Sequence, residues 1–157
     1  MHIKPIGVIR TPFRQAAGTP LQPSMAQGAE GTVEVFAEYA AGLKDLEEFE
    51  RIWLIYWFHR AAPAELVVRP YMDSDLRGVF ATRAPSRPNP IGMSAVKLLS
   101  VEGALLRVAE IDILDGTPLL DIKPYAPLFD HYPVRRCGWL DRRSRRDALA
   151  DDRFQEP

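Results

Sequence analysis

Arg83, Arg87 and Asn89 lie in "GVFATRAPSRPNPIGMS" (78–94), spaced among three prolines, Pro85, Pro88 and Pro90. Guanidinium groups grip carboxylates and phosphates with two parallel hydrogen bonds, and an amide both donates and accepts. Proline fixes its own φ and drives the residue before it into extended conformations. A loop so stiffened loses little entropy when a ligand orders it, and its donors are aimed in advance. The plainer reading is a stiff loop whose arginines pair with surface carboxylates. Three further stretches carry polar groups of the same kind. In "LLDIKPY" (119–125), Asp121 and Lys123 flank Ile122, so in a strand both point to one face. They either pair with each other or bracket a zwitterionic or cationic ligand. His59 and Arg60 end an aromatic run, where a histidine serves as a strand-end hydrogen bonder or as an acid–base group. "GTPLQPS" (18–24) is a second proline-stiffened loop whose backbone groups suit a flat ligand.

Several chemistries have no signature in this chain. GxGxxG, the GxxxxGK[ST] phosphate loop, HExxH and GxSxG are all missing, and His2, His59 and His131 are scattered. One cysteine, Cys137, rules out an internal disulfide and argues against a thiolate metal cluster, so no metal is expected. Net charge is −1, which gives no global field toward nucleic acid or an anionic membrane. "MHIKPIGVIRTPF" does not read as a signal peptide, and the longest apolar run, "IWLIYWF" (52–58), is too short to span a bilayer. A soluble cytoplasmic protein is the default expectation.

The elements that must position these groups read as short strands. The 157 residues suit one barrel-sized core, and the 14 prolines imply many fixed turns. Strands are expected at 3–9, 32–39, 52–58, 64–69, 77–83, 94–103, 104–114 and 118–125. The continuous run 52–58 reads as a central strand buried on both faces. Leu43, Leu46 and Phe49 recur every third residue, which predicts a short helix over 42–50. Glu102-Gly103 and Asp115-Gly116 are turn signals. Residues 11–31 form a long loop with three prolines and three glycines. Short strands with frequent turns predict a mainly β protein, a small antiparallel β-barrel with one or two short helices.

Taken in order, "PIGVIRTPF", "GTPLQP", "FERIWLIYWFHR", "GVFATRAPSRPNPIGMS" and "DGTPLLDIKPYAP" resemble the TsaA/TrmO-like family of S-adenosylmethionine-binding β-barrel proteins, over about Pro5 to Pro127. The resemblance implies an antiparallel barrel that forms a homodimer and binds S-adenosylmethionine. It also implies tRNA as a partner, since characterised members methylate N6 of N6-threonylcarbamoyladenosine next to the anticodon. The family's cofactor-lining residues fall here on Leu21, Gln22, Pro23, His59, Arg60, Arg83, Met93, Leu120, Asp121, Ile122 and Lys123. On that reading Asp121 accepts from the cofactor's amino group, and Arg83 meets its carboxylate or an RNA phosphate. Arg87 and Asn89 are RNA-binding candidates. No catalytic residue stands out as a general base, and a water could serve.

Two features depart from the family pattern. Leu21 stands where a basic residue is usual. The longer bacterial members carry a further C-terminal domain, whereas here residues 1–134 make the expected barrel domain and residues 135–157 an Arg-rich tail. Arg135, Arg136, Arg142, Arg143, Arg145 and Arg146 form either a basic patch for RNA phosphate or a solvated helix face opened by Ser144 and Asp147. Three functions remain open at this stage. They are the tRNA methyltransferase, a cofactor-binding regulatory or interaction protein without methyl transfer, and a methyltransferase of another small molecule or RNA.

Overall fold

The computed structural model describes residues 2–142 and 149–155. Its strands are β1 (Gly7–Arg10), β2 (Glu30–Val35), β3 (Arg51–Trp57), β4 (Val67–Val68), β5 (Arg77–Gly78), β6 (Ile91–Glu102), β7 (Leu105–Ala109) and β8 (Thr117–Pro124). Six of them close into an antiparallel barrel in the order β1-β2-β7-β6-β3-β8, while β4 and β5 pair outside it. The mainly β barrel expected from the sequence is therefore present. Among the described residues the helical content is one α-helix, Pro127–Asp130, with several short 3-10 segments.

Alternation drives the closure. Ile9, Val33, Ile52, Leu54, Val96, Leu106, Val108 and Leu119 point inward and are buried. β6 is twelve residues long and serves two neighbours. Its first half pairs with β3 and its second half with β7, with an irregularity between Leu98 and Ser100 where the strand turns the corner. Gly103, at φ 63°, makes the β6–β7 hairpin, and Gly116, at φ 76°, the turn into β8.

Four expectations change in detail. β3 is central, between β6 and β8, but it is not buried on both faces. Ile52, Leu54 and Tyr56 fill the barrel, whereas Trp53 and Ile55 are half-buried on the outer wall and Trp57 is exposed. A barrel has one inside, so a continuous apolar run leaves half its side chains outside; the Trp53 ring is partly covered by Tyr125 at 5.6 Å. The expected helix over 42–50 is replaced by 3-10 turns at Ala37–Leu43 and Leu46–Glu48, broken by Asp45 at φ 65°. The expected strands 64–69 and 77–83 shrink to the two-residue pairs of β4 and β5, followed by a 3-10 turn at Val79–Ala81. The strand expected over 104–114 ends at Ala109, because Glu110 adopts φ 60° and leaves the ladder.

A small second core lies beside the barrel. Val68, Val79, Ala84 and Phe154 are buried together, and Tyr71 meets Phe154 edge-on at 5.1 Å. Backbone bonds hold residues 149–155 in place. Ala62 N donates to Phe154 O at 2.9 Å, and Ala150 N donates to Thr19 O at 2.8 Å. The chain's last described stretch thereby packs against both the β4–β5 ribbon and the 11–29 loop.

Candidate functional site

Antiparallel pairing decides where the long loops emerge. Trp57 at the end of β3 faces Ile91 at the start of β6, Ile9 of β1 faces Thr117 of β8, and Glu30 of β2 faces Ala109 of β7. The connections 11–29, 58–90 and 110–116 thus all leave from one end of the barrel. The other end carries the Ala104 hairpin and the 36–50 turns. Function-bearing loops on a rigid scaffold favour the first end.

The stiff loop of the sequence reading is braced from within. Thr82 Oγ1 donates to Val79 O at 2.8 Å and accepts from Ala84 N at 3.2 Å. Arg87 Nη1 donates to the carbonyls of Thr82 and Ala84, each at 3.2 Å, so this guanidinium is engaged in holding the loop. Phe58 N donates to Pro90 O at 2.7 Å, tying the loop's exit to the end of β3. Asn89 lies exposed beyond that brace. Arg83, by contrast, points away from its own loop. Its Nη1 donates to Gln22 Oε1, so the two proline-rich loops meet across 61 residues of sequence. Gln22 Nε2 in turn donates to Leu21 O at 2.5 Å, and Pro23 opens a 3-10 turn that follows.

His59 and Arg60 sit at the same end. Thr117 gives its hydroxyl proton to Leu114 O at 2.7 Å, so it can only accept from His59 Nδ1, at a long 3.4 Å. That fixes the proton on Nδ1 and leaves Nε2 with a lone pair. Burial lowers the His59 pKa, Arg60 adds to the effect, and Asp115 opposes it. Arg60 Nη1 donates to Arg14 O at 2.7 Å, and Arg14 pairs with Asp115 at 3.1 Å.

Of the remaining candidates, Met93, Asp121 and Lys123 lie on the outer wall, while Ile122 is in register with the inward Leu54. Met93 of β6, Ile55 of β3 and Asp121 of β8 occupy one cross-strand row. Lys123 is two residues further from the loop end, and its Nζ lies 2.9 Å from Asp121 Oδ2. Both side chains are about half exposed, so opening this pair costs on the order of 0.2–1 kcal/mol. Leu120 and Ile122 are partly buried, and Ile122 packs against the core. Among the described residues no hydrogen bond or ion pair joins this row to the Arg83–Gln22 contact. Arg135 and Arg136 are exposed, Arg142 borders a separate cleft, and Arg143, Arg145 and Arg146 lie outside the described residues. Among the described residues no group of three or more His, Cys, Asp or Glu could hold a metal ion, and no helix is long and apolar enough to cross a membrane.

Sequence reasoning missed a strongly shifted carboxyl group. Asp112 lies in the 110–116 connection, and its Oδ1 accepts from Ser94 Oγ at 2.6 Å. Since Ser94 donates there, Tyr56 Oη must be the donor to Ser94 Oγ at 3.1 Å. The result is a one-way chain of hydroxyl protons ending on a carboxylate inside the barrel's loop end. Burial pushes Asp112 up to about 6, against the Ser94 bond, its own backbone bond and the Arg83 charge, all of which lower it. Burial likewise raises Tyr56 far above the usual phenol range, with the Asp112 charge adding to it. Arg83 therefore acts in two directions: it bonds the neutral Gln22 amide and its field reaches the enclosed carboxylate. One sequence signal was available. Ser94 occupies an inward position of β6, in register with Val96 and Leu98, where a polar side chain needs a partner.

The arrangement offers a cation and a neutral imidazole at the loop end and one carboxylate, Asp121, on the adjoining outer wall, groups suited to a ligand with both a negative and a positive group. The chain is similar to known proteins over most of its length. Residues 8–131 match the model of the tRNA-methyltransferase O N-terminal domain. A probable S-adenosyl-L-methionine-binding protein of Pyrococcus abyssi is 54% identical over 153 residues, covering 96% of this chain and 83% of that one. The tRNA (adenine(37)-N6)-methyltransferase of Escherichia coli is 38% identical over 138 residues, 82% of this chain and 59% of the enzyme. The crystal structure of TrmO from Pseudomonas aeruginosa superposes with a TM-score of 0.75 at 40% identity, covering 88% of this chain and 62% of that one. With the barrel, the paired loops and the family model coinciding over most of its length, the chain belongs to the tRNA-methyltransferase O N-terminal domain family.

Proposed function

We propose that this protein is an S-adenosylmethionine-dependent methyltransferase acting on N6 of N6-threonylcarbamoyladenosine in tRNA, working as a homodimer in the cytoplasm. The observation that carries the reading is the Arg83–Gln22 contact, which joins two proline-stiffened loops at the loop end of the barrel in a chain of this family. The residues present fit the cofactor. Arg83 is exposed and bonded to a neutral amide rather than a carboxylate, so its charge is available to the cofactor's carboxylate. Asp121 presents a half-exposed carboxylate to an amino group once Lys123 moves aside. Leu21, Pro23, His59, Arg60, Met93, Leu120 and Ile122 complete the wall, with Met93 51% exposed and able to cover apolar atoms.

Bound S-adenosylmethionine supplies an activated methyl group. The chain's own part is positioning and electrostatics. The stiff loops hold Arg83 and Gln22 without an ordering cost, and His59 Nε2 offers a fixed acceptor. Arg83 and Met93 are exposed, so this wall is open. A second copy of the chain closes it in this reading. Ile91, Met93 and Trp57 on the outer wall, and Leu128, Phe129, Tyr132 and Val134 near the α-helix, are exposed apolar groups suited to such a contact.

The test is incubation with isotopically labelled cofactor and tRNA from cells lacking the gene, followed by nucleoside mass spectrometry. Label on threonylcarbamoyladenosine is the expected result. Label on another nucleoside moves the substrate, and binding without transfer leaves a cofactor-binding protein. Leu21, a neutral residue where the family pattern usually has a basic one, is the feature that favours this last alternative.

A further inference from the structure

We propose that the cleft between the β4–β5 ribbon and the 3-10 turn Gly138–Arg142 receives one unpaired base of an RNA, stacked on Trp139. The cleft is about 270 Å³ and is lined by Asp75, Arg77, Gly138, Trp139 and Arg142. Its inside is one aromatic ring among charged groups, which suits a flat ring with a hydrogen-bonding edge and not an aliphatic ligand. Its size, at the low end for small-molecule pockets, suits a single ring system.

Each lining group has a defined state. Trp139 is held by its indole N–H, which donates to Ala81 O at 2.8 Å. The ring is thus fixed to the segment that leads, two residues on, to Arg83. Arg77 is spent: its Nε donates to Asp73 at 3.0 Å and its Nη2 to Asp75 at 3.0 Å. Asp75 remains about two-thirds exposed and keeps acceptor capacity for the exocyclic or ring N–H of a base. Asp141 is turned to the backbone, accepting from Cys137 N at 2.9 and 3.1 Å. Arg142 has no hydrogen-bond or ion-pair partner among the described residues and is exposed, which leaves its guanidinium donors at the rim for the phosphate attached to the base. Gly138, at φ 63°, has open space where a Cβ would stand, so no side chain obstructs the cleft there. Stacking on a pinned aromatic with a cation at the backbone is the standard physics of single-strand binding.

This inference rests on the RNA-directed reading above, and the test separates the two. The full chain, with saturating S-adenosylmethionine, is titrated with an anticodon stem-loop RNA at several salt concentrations. Trp139→Ala should weaken RNA binding roughly 5- to 150-fold, the loss of one stacked base, with the salt slope unchanged. Trp139→Phe should retain most of the affinity. Arg142→Ser should reduce the slope of log K against log salt by about 0.7. Cofactor affinity should be unchanged in all three. RNA binding within twofold of wild type in folded Trp139→Ala overturns the proposal, as does a wild-type chain that does not bind the RNA. Should Trp139→Ala fail to fold, an unaltered salt slope in Arg142→Ser does the same. Adenosine monophosphate is the second arm: if it binds as tightly as the RNA, the cleft is a free-nucleotide site and the proposal fails. A wild-type chain that binds RNA through Trp139 but transfers no methyl group refutes the proposed activity and leaves the stacking site standing.

Discussion

Replacing Asp112 with asparagine isolates the energy stored at the barrel's loop end. Asp112 titrates near 3.8 when unfolded and at about 6 in the fold, because burial disfavours its charge more than Ser94 and Arg83 favour it. The folded state therefore holds the proton more tightly than the unfolded chain. Its contribution to stability is best below pH 3.8, declines as pH rises toward 6, and is flat above that. At about 1.36 kcal/mol per pH unit, the gap corresponds to a penalty on the order of 3 kcal/mol at pH 7. Asparagine removes that penalty and keeps an oxygen for the Ser94 hydroxyl. Its new amide N–H groups need partners in the same enclosure, at about 1–3 kcal/mol if they find none. The net expectation is an Asp112→Asn variant at least as stable as wild type at pH 7.5, by up to about 2 kcal/mol where the new N–H groups stay unpaired. The advantage should shrink by about 2–2.5 kcal/mol on going to pH 4. Urea unfolding of both proteins at pH 4, 5, 6 and 7.5 measures the difference directly, and every other titrating group cancels. A difference that does not change with pH means that Asp112 is solvated in the fold. The buried hydroxyl chain would then be misjudged.

Gly92→Ala should destabilise by about 2 kcal/mol or more in thermal unfolding, because a Cβ there would run into the rings of Tyr56 and Phe58. Asp121→Ala should weaken S-adenosylmethionine binding by about 1.5–3 kcal/mol in calorimetry, and unchanged affinity assigns Asp121 to its ion pair with Lys123. Light scattering should give twice the 17.7 kDa monomer for the wild type, and Leu128→Ser with Phe129→Ser should shift it toward one copy. Replacing Arg142, Arg143, Arg145 and Arg146 together with serine should flatten the salt dependence of tRNA binding while leaving cofactor affinity alone; an unaltered slope removes the tail from the RNA interface.

What the sequence made legible is what period and turn chemistry carry. Alternation in β2, β6 and β7, the Gly103 and Gly116 turns and the proline punctuation all survive into the barrel. The errors share a cause. The run 52–58 looked buried on both faces because apolar content alone does not distinguish a sheet between helices from a barrel wall awaiting a cover. The 42–50 helix looked plausible because spacing of three fits a 3-10 turn as well as an α-helix, and Asp45 at φ 65° settles it locally. Arg87 looked like Arg83 in sequence, since both stand in the same proline frame. Only the fold shows that one braces carbonyls inside the loop while the other reaches Gln22. Asp112 was invisible for a further reason. Its perturbation comes from Ser94 and Tyr56 on two other strands, a pairing that closure of the barrel creates.

The contrast between the two arginines also explains why the loop is so stiff. A guanidinium near an enclosed carboxylate would gain most by swinging inward to meet it, and a flexible loop would let Arg83 do so. That collapse would neutralise Asp112 and withdraw the cation from any ligand. The prolines at 85, 88 and 90, the Arg87 brace and the Phe58–Pro90 bond leave the segment little freedom to rearrange. Gln22 then gives Arg83 a partner that satisfies a donor without cancelling the charge. The field of Arg83 still lowers Asp112, but burial outweighs it, and the carboxyl stays poised near neutrality. Loosening the loop, as with Pro85→Ala and Pro88→Ala together, should let the pair form. The observable sequence of effects is a lower Asp112 pKa by NMR and weaker cofactor binding. If cofactor affinity falls while the Asp112 pKa stays near 6, the rigidity serves ordering alone and not the separation of charge.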